Sequence, residues 1–206
     1  MKTNKQTEDI RAIRDMMEKS SKFLSLNGLS IVFAGLFALL GIGYMYLYKE
    51  EYIAGYQLYP QMNTNLLLIA LAILFLSAVT VSLFCLRKMK TNHIPLINKT
   101  LIRAAYNLLV PMIVGGMFGL IFFMKGDLWV TLSVTLIFYG LGLINTSKYT
   151  FREIHYLGII EVVLGLIAAF DPLHGLVYWT LGFGFGHILW GIYLYMRYDF
   201  SKKRIS

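Results

Sequence analysis

The sequence predicts an all-α polytopic membrane protein, with six transmembrane helices arranged as three antiparallel hairpins. Three observations predict it. Six apolar stretches, at about 27–48, 66–86, 104–124, 128–147, 154–170 and 172–196, are almost free of charge. Each is close to the roughly 20 residues that a helix rising about 1.5 Å per residue needs to cross a hydrocarbon core about 30 Å thick. Apolar residues make up 57% of the 206, so spans and short connections consume the chain and leave no room for a soluble catalytic domain. The third observation is the sidedness of the basic residues.

Lys2, Lys5, Arg11, Arg14, Lys19 and Lys22 precede the first span, and Arg87, Lys88, Lys90, Lys99 and Arg103 follow the second. Lys148 and Arg152 follow the fourth, and Arg197, Lys202, Lys203 and Arg204 follow the sixth. These are 17 of the 19 Lys and Arg, all on one side; Lys49 and Lys125 lie on the other. The positive-inside rule then puts both termini in the cytoplasm, with the chain in the inner (plasma) membrane. The net charge of +8 reflects this topology and contact with anionic headgroups of the lipid bilayer. No basic soluble domain is there to bind nucleic acid.

In chain order, residues 1–24 read as a cytoplasmic amphipathic helix. Thr7 can cap it, Glu8 and Asp9 suit its first turn, and Ile10, Ile13, Met17 and Leu24 share a face. Such a helix lies on the inner leaflet or docks a cytoplasmic protein partner; both readings stay open. The span that follows is too long for a signal-peptide core, so the first helix is expected to be retained. The membrane domain covers 25–197. Its longest outer connection, 49–65, holds Glu50, Glu51, Tyr56, Tyr59 and Pro60. Cys85, the single cysteine, excludes an intramolecular disulfide and reads as a small packing residue late in the second span. The inner connection 87–103 is basic and contains His93 and Pro95. Pro111 should kink the third span above the Gly115–Gly116 pair, as a hinge or as packing. Tight connections at Lys125–Gly126–Asp127, 148–153 and Asp171–Pro172 make sequential helices antiparallel neighbours. Residues 198–206 form a basic cytoplasmic tail. Tyr44, Tyr46, Trp129, Tyr178 and Trp179 fall near the outer interface, and Tyr149, Tyr156, Tyr193, Tyr195 and Tyr198 near the inner one, where such rings anchor.

The hairpins are faintly repetitive. Gly28 and Gly35 have the same separation as Gly158 and Gly165, and Ile137–Phe138–Tyr139–Gly140 parallels Ile188–Leu189–Trp190–Gly191. Small residues four apart, as in Gly115/Gly119 and Gly182/Gly186, let helix backbones approach closely. Threefold duplication and shared apolar composition both account for the pattern. The run LGIIEVVLGLIAAFDPLHGLVYWTLGFGFGHILWGI, residues 157–192, resembles hairpins of the HdeD family of six-pass bacterial acid-resistance membrane proteins. The resemblance lies in glycine-spaced odd helices, a Pro in the outer turn and a glycine-rich even helix. It implies a bacterial six-pass membrane protein and supplies no mechanism; Glu161 and His187 depart from the pattern.

Of the 11 acidic residues, only Glu161 falls deep within a span. It is nine residues after Arg152 and ten before Asp171, about 13–15 Å from either end of its helix. A carboxyl at that depth must face the bundle and have a partner. Antiparallel helices turning near Leu173 place His187 level with Glu161, and Gly182, Gly184 and Gly186 thin the sixth helix beside it. A Glu–His pair can be neutral or ionic, which suits proton relay or pH sensing; a static interhelical bond suits it equally well. Asn107 and Asn145 are level near the inner surface and are expected to bond across the third and fourth helices. Tyr139 and Trp190 join Asn107, Asn145 and Pro111 as supporting polar or hinge residues. The Thr131/Ser133/Thr135 stripe reads as a close-packed face.

No HExxH, GxSxG or phosphate-loop pattern occurs, and the four histidines lie at four depths, so no metal, no cofactor and no enzymatic activity are expected. Two functions stay open: transport or sensing of protons or a small solute through the midplane site, and a membrane scaffold docking a protein at its cytoplasmic face. A homo-oligomer is left open.

Overall fold

In hydrocarbon every backbone N–H must find its acceptor within the chain, and long runs of Leu, Ile, Val and Phe meet that demand as helices. The computed structural model describes residues 26–47, 60–92, 94–95 and 99–200, and every regular element among them is helical. The expected N-terminal helix, most of the outer connection 49–65, His93 and the tail beyond residue 200 lie outside the described residues.

Five helices are long and apolar enough to cross a membrane. They are α1 (Gly28–Leu47), α2 (Pro60–Thr91), α3 (Lys99–Met124), α4 (Leu128–Thr146) and α5 (Glu153–Phe170). At 32 residues α2 exceeds the stretch expected at 66–86. It opens on Pro60, whose missing N–H is harmless in a first turn. It closes with Lys88 and Lys90 in the last turn, where cations complement the helix dipole.

The sixth apolar stretch is not one unbroken α-helix. It is helical from Pro172 to Phe200, yet its hydrogen-bond register changes repeatedly. A 3₁₀ turn (Pro172–His174) leads into α6 (Gly175–Trp179), a π-helical stretch (Thr180–Gly186), α7 (His187–Leu194) and a second π stretch (Tyr195–Phe200). Gly182, Gly184 and Gly186 all fall in the first π stretch. Backbone without side chains widens at little steric cost, and single π turns of this kind concentrate at functional sites.

The pairing of helices goes beyond sequential hairpins. α4 packs along both α3 and α5, and α1 packs along α2, α7 and the first π stretch. α6 and that π stretch lie against α5. Matched glycines make two of these seams. A Cβ on Gly158 would sit 2.7 Å from the Gly140 carbonyl oxygen, and one on Gly140 would sit 2.6 Å from the Gly158 oxygen. Gly191 would likewise meet the Gly28 oxygen at 2.8 Å. The residues that echo one another in sequence, Gly28 with Gly158 and Gly140 with Gly191, thus serve the same purpose in two seams. Ser133 Oγ donates to the Gly165 oxygen at 2.6 Å and Thr131 Oγ1 to the Gly119 oxygen at 3.1 Å, so these two hydroxyls of the α4 stripe meet neighbouring backbones. Thr135 Oγ1 instead donates to the Leu132 oxygen of its own helix and accepts from Trp179 Nε1.

At the end bearing the α1 N-terminus and residue 200, the ends of three elements are tied by charge. Lys88 Nζ reaches Asp199 Oδ1 at 2.7 Å and the Leu26 oxygen at 2.9 Å. Asp199 Oδ2 accepts from the first helical N–H, that of Gly28, at 3.0 Å. Ile31, Leu143, Phe151, Ile154, Leu157 and Leu194 form the apolar core just above.

Candidate intramembrane site

Glu161 reaches the core because α5 presents Glu153, Leu157 and Glu161 at intervals of four, one above another on its buried face. Glu161 is 0% exposed and His187, the first residue of α7, is 4% exposed. Glu161 Oε1 lies 3.4 Å from His187 Nδ1. Among the described residues, neither carboxyl oxygen of Glu161 has a hydrogen-bond partner.

The imidazole is held at both nitrogens. Nδ1 lies 3.1 Å from the Gly182 carbonyl oxygen, five residues back across the π stretch, and Nε2 lies 2.8 Å from Tyr139 Oη. A carbonyl can only accept, so Nδ1 carries the proton and donates to Gly182. With neutral imidazole, Tyr139 donates to Nε2. With imidazolium, Nε2–H donates to Tyr139 and the hydroxyl reverses its role, while Nδ1–H is left to Gly182 and the adjacent carboxylate. Two protonation states therefore share one heavy-atom arrangement. Phe183 packs on this group, with ring centres 4.9 Å from Tyr139 and 5.7 Å from His187, and Trp179 lies 4.6 Å beyond Phe183.

Gly182 is required for this arrangement. A Cβ there would strike Glu161 Oε2 and come within 2.9 Å of Leu136 Cδ2. The absent side chain is the space that the carboxyl occupies.

The remaining residues singled out from sequence lie apart. Trp190 Nε1 donates to the Glu153 carbonyl oxygen at 2.9 Å, two turns from Glu161 on α5. The expected bond between Asn107 and Asn145 is not made: Asn107 Nδ2 turns back to the Arg103 oxygen of its own helix at 2.8 Å. Thr146 takes the bridging role instead, donating to the Ala104 oxygen at 2.8 Å. A hydroxyl on a short stem spans a close helix contact that a longer amide overshoots. Pro111 sits inside α3 without ending it. Gly115 packs against the Phe138 ring of α4, while Gly116 has no neighbouring atom within 4 Å of a would-be Cβ. Cys85 is buried beside Met89.

Sequence reasoning missed Glu153. Its Oε1 accepts from Tyr198 Oη at 2.8 Å and lies 3.1 Å from Arg197 Nη1, while its Oε2 is buried without a partner. The spacing of Glu153, Leu157 and Glu161 was the available signal. Among the described residues no three His, Cys, Asp or Glu side chains come together to hold a metal.

The turn after α5 carries a second, exposed polar group. Asp171 accepts from His174 Nδ1 at 2.8 Å and from Tyr178 Oη at 2.9 Å. These bonds, that from His174 first, hold its carboxyl below the usual carboxylate range. A depressed carboxyl contributes stability above its unfolded value and loses it as pH falls through the folded one. His174→Ala should move the Asp171 titration up toward the ordinary value, and Tyr178→Phe should move it less. Carboxyl ¹³C shifts followed against pH test this, and a midpoint unmoved by His174→Ala would rule out the contact.

No protein-family model, curated protein or solved structure matches this chain.

Proposed function

We propose that this chain is a six-pass inner-membrane protein of bacterial type, with both termini cytoplasmic, that senses or carries protons, or a small solute with them, through Glu161, His187 and Tyr139. Its last hairpin is, on this reading, akin to the HdeD hairpins it resembles. The observation that carries the proposal is the carboxyl of Glu161. It is wholly enclosed, lacks a hydrogen bond on either oxygen and stands beside an imidazole. A purely structural carboxyl in hydrocarbon would have its oxygens satisfied. The flanking π stretch supplies backbone that can change register as the charge changes. Among the described residues, the titratable groups around Glu161 are His187 from α7 and, bonded to it, Tyr139 from α4, and neither is a fixed cation. The chemistry needs no cofactor and no bond change beyond the transfer of protons, which fits a non-enzymatic protein.

Glu161→Gln is the direct test, because the amide keeps the shape of the acid and cannot titrate. It should abolish any pH-dependent flux or conformational response between about pH 5 and 8, the range in which His ordinarily changes charge, while folded protein stays in the membrane. A response equal to wild type would reduce the pair to interhelical glue. Topology is tested separately. Reporters fused after Ser206 and within 49–59 should report opposite sides, and an external C-terminus would end the six-pass reading.

A second reading is a scaffold that binds a membrane or cytoplasmic protein through its inner basic face and N-terminal helix. The observation favouring it is the breadth of apolar surface on α2 and α3, where Phe75, Leu83, Ile113 and Met117 are all exposed. Lipid covers such surface equally well.

A further inference from the structure

Three buried side-chain oxygens lack a hydrogen-bond partner among the described residues: Glu153 Oε2 and both carboxyl oxygens of Glu161. All three belong to one stripe of α5. Glu153 opens the helix, and Glu161 follows two turns later on the same face, roughly 12 Å along the axis at about 1.5 Å per residue. Leu157, 1% exposed, stands between them.

Glu153 also bridges wet and dry surroundings. It is 8% exposed, and its Oε1 is shared by Tyr198 and by Arg197, whose side chain is 53% exposed at the rim. Arg197 is itself held by Tyr193 Oη. Lys88, 5.8 Å from the Phe151 ring, pairs with Asp199 and not with Glu153. Among the described residues, the charged and titratable groups facing Glu153 are therefore Arg197 and Tyr198 from the last π stretch; those around Glu161 are His187 and, bonded to it, Tyr139.

We infer that Glu153 is the proton-exchange group linking the inner face to Glu161, with Leu157 as the apolar barrier between them. This rests on the reading of Glu161 as a proton site. The gap is too long for direct transfer, so water must enter when the barrier parts. Gly186 marks where it can: a Cβ there would lie 3.0 Å from the Leu181 oxygen of its own turn, 3.8 Å from Leu157 Cδ1 and 4.0 Å from Glu161 Oε1. The residue closing the space between Leu157 and the carboxyl thus has no side chain, and it ends the π stretch whose register can shift. In the transfer, the Glu153 carboxyl gives its proton to the nearest water. The last water of the chain gives one to the Glu161 carboxylate, and Glu153 is reprotonated from the inner solution. One proton passes from the inner solution to Glu161 and no other bond changes.

The experiment is an acid jump from about pH 8 to 5 on the full chain in lipid vesicles, followed by infrared spectroscopy. The carboxyl band that Glu161→Gln removes reports Glu161. Glu153→Gln should slow the growth of that band about tenfold or more, a barrier increase of ~1.4 kcal/mol. Leu157→Ala should speed it. Glu153→Asp, which retains a titrating carboxyl, should recover much of the rate whatever either change does to stability. A Glu161 band that grows at the wild-type rate in Glu153→Gln overturns the exchange role of Glu153 and leaves Glu161 as the proton site. Absence of any Glu161-dependent band removes the proton site itself, and this inference with it.

Discussion

Gly158→Ala is expected to destabilise the protein by about 3 kcal/mol, the upper end of what overpacking usually costs. The added methyl would lie 2.7 Å from the Gly140 oxygen and 2.9 Å from both the Ile144 amide nitrogen and Ile144 Cγ1. Two of those three atoms are backbone, which cannot rotate away, so α4 and α5 must separate along their whole seam. Gly140→Ala, facing the Gly158 oxygen at 2.6 Å and the Val162 nitrogen at 2.8 Å, should cost a similar amount. Gly116→Ala is the control. It has no neighbouring atom within 4 Å of its would-be Cβ, and alanine is the better helix former by about 1 kcal/mol in water. Unfolding midpoints in mild detergent distinguish the two cases. If Gly158→Ala and Gly116→Ala behave alike, α4 and α5 do not meet backbone to backbone.

Lys88→Met is expected to cost about as much, because it leaves Asp199 without its cation. The pair is largely shielded, with side chains 15% and 11% exposed at 2.7 Å separation. Removing one partner from a buried pair costs about 3–5 kcal/mol, and the residual exposure brings this to about 3. Asp199→Leu strands Lys88 in the same way and also removes the acceptor of the Gly28 N–H, a capping loss of about 1 kcal/mol. The double variant should be much less destabilised than the two single changes summed, since no unpaired charge remains. Strict additivity would mean that the pair does not hold α1, α2 and the chain end together.

The helical class of this protein was legible from composition and spacing. A stretch of 20 apolar residues has one way to satisfy its backbone in hydrocarbon, so α1, α3, α4 and α5 lie close to where hydropathy puts them. The level placement of Glu161 and His187 was legible too, since depth in a hairpin is arithmetic on residue number. Depth does not give rotation about the helix axis, and there the sequence was insufficient. Asn107 and Asn145 are level yet do not bond, because Asn107 turns to its own helix and Thr146 makes the contact. Glu153 falls at the end of a tight connection in the sequence, and only the structure shows Tyr198 and Arg197 folding back on it.

By itself, the sequence determined the element type, the asymmetry of charge and the single acid deep in a span, because these depend on transfer free energies that each residue carries wherever it is packed. Tertiary structure alone decided the π register around Gly182, the Gly140–Gly158 and Gly28–Gly191 contacts, and the enclosure of Glu161 without a hydrogen bond. Each of these depends on which faces of two helices meet. Apolar helices in lipid have no hydrophobic gradient to set that rotation, so close packing sets it, through glycines whose partners lie on another helix.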